Sequence, residues 1–274
     1  MMNDRKKNIQ ILEETLAICS RGYYGVDGKR AECKLSKLQM PQSEVILPED
    51  EIPSLDQFAR TFNTSYRCEY GDSYGAARKL AEEGKGCILV LNFANAFHPG
   101  GGVRNGANAQ EEDLCRKSSL LFSLESMQAR RYYNYNWKQM TNFGTDGVII
   151  TPRVEIIRDD DNELLEESVV VAVMTCAAPN IADGIADMTK EEYEALVYNR
   201  IMRMFLVAAS RGYSNLVLGA WGCGAFRNDA KTMSDLFKKA AKETDGLFET
   251  VEFAIIRNDY NPVNYNEFAR NFKG

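Results

Sequence analysis

Apolar residues recur at helical spacing from the start of the chain. Ile9, Leu12, Leu16 and Cys19 share one stripe over residues 4–20, and Gly22 closes it, so the spacing predicts a helix there. A second helical stretch, residues 75–83, ends at Gly84 in the left-handed cap position. Residues 88–92 are apolar but too short for a helix, and they read as a buried strand. Leu114, Ser118, Leu121, Phe122 and Glu125 predict one amphipathic helix. The run VVVAVMT at 169–175 is the clearest buried strand, opening into Cys176-Ala177-Ala178-Pro179-Asn180. Thr189 and Glu192 form a capping box that starts a helix carrying Tyr193, Leu196, Val197, Ile201, Met204, Phe205 and Ala208, with Gly212 at its end. Residues 216–218 make a further strand, a helix starts near Ala230, and residues 253–256 form the last strand. Pro41, Pro48 and Pro53 break residues 30–70 into what reads as a short helix and an extended segment.

Strand and helix alternate, and the strands are continuously apolar. This pattern predicts an α/β sheet covered on both faces. Ligands of such sheets bind beyond the carboxyl ends of the strands. Three loops leave strands in that way, at 92–112, 176–187 and 219–229, and are expected to share one cleft.

Composition narrows the class. At 274 residues the chain can form one large domain, or a domain with an extension. No run approaches the ~18 apolar residues of a membrane helix, and the opening MMNDRKKNIQ lacks an apolar signal core. The seven cysteines, Cys19, Cys33, Cys68, Cys87, Cys115, Cys176 and Cys223, have no CxxC spacing, and His98 is the only histidine. A structural zinc site is therefore not expected, and reduced thiols in a cytoplasm are. The sequon Asn63-Thr64-Ser65 is read as chance. Net charge is −6, without a Lys/Arg cluster, so neither DNA nor a membrane is an expected partner. An anionic ligand would have to be held locally, by backbone N–H groups and helix ends.

Chemistry concentrates between Leu89 and Asp113. Gly100-Gly101-Gly102 gives a backbone free to reach positive φ and to approach a ligand, and Glu111 and Glu112 follow within one loop. A second glycine-rich segment, Gly219-Ala220-Trp221-Gly222-Cys223-Gly224-Ala225-Phe226, lies between a strand and a helix, where amides can hold an anion. Neither loop is a Walker A, and neither is GxGxxG with a suitably placed acid. Two such loops suit a diphosphate. Taken singly, each element has a plainer reading: a glycine triplet as a flexible loop, and a Glu-Glu pair as a solvated helix start. Cys223 reads as a small buried residue and Trp221 as core, while His98 would cap or bond the loop backbone. Tyr132, Tyr133, Tyr135 and Trp137 read as packing or a surface lid rather than a base-stacking platform.

The order of these motifs carries more than any one of them. Asn92-Phe93-Ala94-Asn95 resembles the Asn-x-Ala-Asn element of macrodomains. Gly100-Gly101-Gly102 followed after seven residues by Gln110-Glu111-Glu112 is similar to the signature of bacterial-type poly(ADP-ribose) glycohydrolases, and Gly219–Phe226 resembles that family's second diphosphate loop. The likeness covers roughly residues 85–260. It implies a three-layer α/β/α macrodomain with a mixed central sheet at 85–274, a helical N-terminal extension at 1–84, no cofactor, and no required metal. It implies poly(ADP-ribose) or ADP-ribosylated proteins as partners, hydrolysis mainly at polymer ends, and ADP-ribose as product. Glu112 would be the general acid/base, Glu111 would bind ribose hydroxyls, Asn95 the distal ribose, and Gln110 would shape the loop. Gly100, Gly101 and Gly102 would admit the diphosphate, closed over by Gly222, Cys223, Gly224 and Ala225, with Phe226 packing on the ribose. The chemistry agrees: cleaving a ribosyl–ribose bond needs a general acid and stabilisation of an oxocarbenium-like transition state. Adjacent glutamates cannot flank one bond, so one reacts while the other positions the sugar. The alternatives are a non-hydrolytic ADP-ribose reader and a mono-ADP-ribosyl hydrolase. Asp72 stands too far upstream to be assigned as an adenine-binding aspartate, and Arg104 is read as facing solvent rather than a phosphate.

Overall fold

The structure is a computed structural model that describes residues 2–32 and 42–273; Cys33 and Pro41 lie outside them. Its helices are α1 (Met2–Arg21), α2 (Ser73–Glu82), α3 (Gln110–Lys117), α4 (Leu120–Leu124), α5 (Arg130–Gln139), α6 (Lys190–Ser210), α7 (Ala230–Glu243) and α8 (Val263–Phe272). Its strands are β1 (Tyr23–Val26), β2 (Lys29–Glu32), β3 (Glu44–Ile46), β4 (Ser65–Tyr70), β5 (Ile88–Phe93), β6 (Val148–Arg158), β7 (Leu164–Cys176), β8 (Asn215–Leu218) and β9 (Thr250–Ile255). Seven strands form a mixed sheet in the order β3-β6-β7-β5-β8-β9-β4, the class that the alternating pattern predicts. Among the described residues no helix is long and apolar enough to cross a membrane.

The chain divides into two compact units, each drawn from several stretches. The first comprises residues 1–47, 92–138 and 147–176. Here β3, β6 and β7 pair antiparallel. Residues 148–158 were not expected as a strand, because Pro152 and the charges after it interrupt the apolar run. A register shift between Thr151 and Val154 accommodates the proline, which cannot donate to a ladder. The β1–β2 hairpin turns on Asp27 and Gly28, both at positive φ. Asp-Gly between short extended runs is the usual signal for such a turn, and it was legible at Val26-Asp27-Gly28-Lys29. Ile18, Cys19, Tyr24 and Ile157 form a small buried core in this unit.

The second unit comprises residues 48–91, 139–146 and 177–274. Here β5, β8, β9 and β4 pair in parallel. Phe205, Phe237, Phe248, Phe253 and Phe268 interlock edge-on or tilted at centroid distances of 5.3–6.5 Å, with Trp221 against Phe237. Trp221 is fully buried, as core. Asp72 accepts a hydrogen bond from Gly75 N at 2.5 Å as the N-cap of α2.

Several expectations need correction. The helix expected from Leu114 to Glu125 is broken into α3 and α4 at Ser118 and Ser119. Ser118 bridges to Ile156, Ser119 N donates to Glu155 O, and Ser118 Oγ donates back to Leu114 O. Serine competes for backbone groups in this way, and here tertiary pairing wins over helical period. Residues 42–70 hold no α-helix, only a three-residue 3-10 turn at Leu55–Gln57 between β3 and β4. The stretch at 1–84 does contain α1 and α2, yet it also supplies β1 to β4.

Candidate active site

The glutamates open α3. Their position in its first turn places carboxylates where unpaired amides and the helix dipole favour negative charge. Gln110 and Glu111 then tie the helix start to the end of β5, and Glu112 ties it to the glycine loop. Gln110 Oε1 accepts from Phe93 N at 2.8 Å. Glu111 accepts from Asn95 N on Oε2 at 2.7 Å and from Asn92 Nδ2 on Oε1 at 3.2 Å. Glu112 accepts from Gly102 N on Oε1 at 2.8 Å and from Ala109 N on Oε2 at 3.0 Å. The last contact is the backbone half of a capping box, so Glu112 fixes its own helix start.

The glycine triplet now has a physical reason. Gly101 lies at φ +57°, and a methyl group there would sit 2.5 Å from Glu112 Oε1 and 3.1 Å from Glu111 Oε2. Both carboxylates therefore converge on one point of backbone that only glycine leaves open. At Gly100, φ +68°, a methyl would meet Leu121 at 2.7 Å. Arg104, next to the triplet, is paired in a fork with Glu125 at 2.7 and 2.8 Å and is exposed.

Glu111 is 3% exposed. Burial pushes its carboxyl up to about 8, the Glu112 charge adds to this, and the hydrogen bonds from Asn95 and Asn92 offset part of it. Near neutral pH, Glu111 thus holds a proton.

Asn95 is partly exposed, and its Oδ1 accepts from Phe97 N at 2.8 Å and His98 N at 3.0 Å. That folds the turn after β5 and leaves Nδ2 as the end available to a ligand. His98 contributes its backbone to this turn, while its ring stands edge-on to Trp137 at 5.7 Å. Gln110, Glu111, Glu112, Asn95 and the three glycines are thus assembled together, all within the first unit.

Gly222, Cys223, Gly224, Ala225 and Phe226 lie in the second unit. Asn228 organises this loop: Nδ2 donates to Pro179 O and Gly222 O at 2.9 Å each, and its Oδ1 accepts from the Tyr193 hydroxyl. Gly222, at φ +77°, has the Asn228 amide and Ala178 Cβ where a side chain would start, each at 2.6 Å. Gly224 and Ala225 are exposed. Burial pushes the Cys223 thiol up to about 12, so it is a neutral group rather than a thiolate nucleophile.

The supporting roles of four residues escaped the sequence reading, although Asn92 stands in the Asn92–Asn95 element and Tyr193 on the predicted helix stripe. Asn92 is fully buried on β5 and bridges Glu111 to Thr175 Oγ1 at 3.2 Å; an Asn inside an apolar strand was the available signal. Arg116, 1% exposed, donates to Ala107 O at 2.6 Å and to Asn108 Oδ1, holding the turn before α3. Asn228 and Tyr193 lie far apart in sequence, and no spacing shows that they pair. Among the described residues, no group of three or more His, Cys, Asp or Glu side chains is placed to hold a metal ion.

Comparison with known proteins follows the same residues. Residues 12–159 match the family described as microbial-type PARG, catalytic domain. Among solved structures, poly(ADP-ribose) glycohydrolase from Thermomonospora curvata is 31% identical over 97% of this chain and 100% of its own, with a TM-score of 0.88. The same protein bound to the inhibitor ADP-HPD is 32% identical over the same shares, with a TM-score of 0.87. The glycohydrolase from Deinococcus radiodurans in complex with ADP-ribose is 38% identical over 84% of this chain and 93% of its own, with a TM-score of 0.77. No curated protein sequence matches.

Proposed function

The chain belongs to the microbial-type poly(ADP-ribose) glycohydrolase family, and from that premise we propose that it cleaves the ribose–ribose bond mainly at polymer ends, with Glu112 as general acid/base. It is a glycoside hydrolase acting on poly(ADP-ribose). The observation that carries the residue assignment is the convergence of both carboxylates on Gly101, with each Glu112 oxygen aimed by a backbone amide. Each carboxyl oxygen has a second lone pair, so neither amide bond blocks proton transfer.

In the first half-reaction Glu112 gives its proton to the leaving ribose oxygen as the glycosidic bond breaks. In the second, the Glu112 carboxylate takes a proton from water while the water oxygen bonds to the anomeric carbon. General acid–base transfer of this kind is worth ~10²–10⁴-fold. Glu111, held by Asn92 and Asn95 and pushed toward its neutral form by burial, presents its carboxyl to the ribose hydroxyls. Asn95 Nδ2 binds the distal ribose. The Gly222–Phe226 loop, whose backbone is open at Gly224, takes the diphosphate through its amides.

Release of free ADP-ribose from purified polymer, wild type beside Glu112→Gln, tests this reading. Wild type is expected to release ADP-ribose rather than oligomers, and Glu112→Gln to lose at least ~100-fold in turnover while still binding ADP-ribose in calorimetry. Equal rates would remove Glu112 from the mechanism. Binding without release by wild type would point to a reader, and release only from a mono-modified protein would point to a mono-ADP-ribosyl hydrolase.

A further inference from the structure

The aromatic cluster after α4 divides in two on folding. Tyr132 and Tyr133 are buried, but Trp137 is 55% exposed. Its ring is nonetheless fixed. Trp137 Nε1 donates to Phe97 O at 3.2 Å, and the indole tilts against Phe97 at 4.9 Å between centroids. Phe97 belongs to the turn that Asn95 folds, and Asn95 N donates to Glu111. An exposed indole is thus anchored one turn away from the catalytic carboxylates and pre-ordered, which lowers the entropic cost of stacking on it.

The rest of that helix face is cationic. At about 100° per residue, Arg130, Asn134 and Trp137 share the outer face of α5, with Lys138 and Arg131 at its edge. The ten residues Arg130–Gln139 contain three cations and no carboxylate, in a chain whose net charge is −6. Arg130, Arg131 and Lys138 are exposed, and none forms an ion pair among the described residues. Elsewhere on the helices, Lys190 pairs with Glu194, and Lys231 and Arg270 pair with Asp235. Unpaired cations interleaved with a fixed aromatic ring match a flexible polyanion that carries planar bases.

We infer that the outer face of α5 is a second contact for poly(ADP-ribose), with Arg130, Arg131 and Lys138 taking phosphates and Trp137 stacking a base from the part of the polymer outside the cleavage site. This rests on the glycohydrolase reading for the identity of the polymer. The surface adds affinity and length preference and takes no part in bond cleavage.

The test compares long polymer with the ADP-ribose dimer in two variants of the full chain: the triple charge reversal Arg130→Glu, Arg131→Glu, Lys138→Glu, and Trp137→Ala. The ratio of kcat/KM on long polymer to that on dimer should fall on the order of 10-fold in the triple variant, through KM. The slope of log KM against log salt should drop by about 2, three single-strand phosphate contacts at ~0.7 each. Trp137→Ala should lower the same ratio by about 5-fold or more. The same loss on both substrates, or an unchanged ratio, overturns the inference. Anisotropy with labelled polymer separates it from the catalytic reading. If wild type releases no ADP-ribose yet binds polymer, and the triple variant does not, the surface stands and the glycohydrolase reading fails. Equal displacement by single-stranded polyadenylate would instead make this a general nucleic-acid surface and overturn the assignment.

Discussion

Gly101 carries the tightest constraint at the scale of single residues, because its missing side chain is where two carboxylates meet. Gly101→Ala places a methyl 2.5 Å from Glu112 Oε1 at a φ of +57°. The left-handed backbone alone costs ~1–2 kcal/mol for alanine, and displacing the glutamate costs catalysis as well. The expected outcome is a fold destabilised by about 1–3 kcal/mol in urea, with turnover down about 100-fold. Wild-type turnover in this variant would show that the glutamate is not held by the loop. Glu111 makes a second prediction at this scale. Its carboxyl lies near 8 in the folded chain against 4.5 as the ordinary value. Between those values the native state binds more protons than the unfolded state, so stability falls as pH rises through that window. Gln cannot titrate, so Glu111→Gln should gain stability over wild type as pH rises from about 4.5 to about 8. Parallel stability curves for the two proteins across that range would contradict a buried, protonated Glu111.

Elements bring the site residues into place through contacts that sequence spacing does not show. Helix α1 clamps the far side of the glycine loop: Asn8 Nδ2 donates to Gly106 O at 3.1 Å, and a methyl on Gly106 would lie 2.4 Å from Arg5 O. Thr15 Oγ1 donates to Arg116 O at 2.6 Å and accepts from Arg158 Nε at 2.9 Å, so one hydroxyl ties α1, the end of α3 and β6 together. Arg116 in turn holds the Ala107–Asn108 turn that leads into the glutamates. Thr15→Val keeps the shape and removes both bonds, leaving buried polar groups unpaired. It should cost about 1–3 kcal/mol, and Thr15→Ser should restore most of that in denaturant titrations. No loss in the valine variant would mean that the hydroxyl is not what couples these elements.

At the scale of the whole molecule, the chain's own pattern determined a great deal. The period of its apolar residues and its glycine stops set α1, α2, α6 and α7, along with the buried strands β5, β7, β8 and β9. These are local consequences of burying one stripe or a short run, and they need no distant partner to be read. The Gly100–Gly102 and Gln110–Glu112 spacing likewise marked two segments that meet in the fold, because backbone freedom and carboxylates there reside in adjacent residues. Folding decided what depends on residues remote in sequence. It broke the 114–125 helix by pairing Ser118 and Ser119 with β6, and made a strand of the proline-interrupted 148–158 segment by bulging it. It buried Glu111 enough to keep its proton, and chose Asn92, Arg116 and Asn228 as supports. Burial, and the partner a buried polar group finds, are properties of the packed neighbourhood; one-dimensional spacing cannot carry them, since desolvation depends on what surrounds a group from every side.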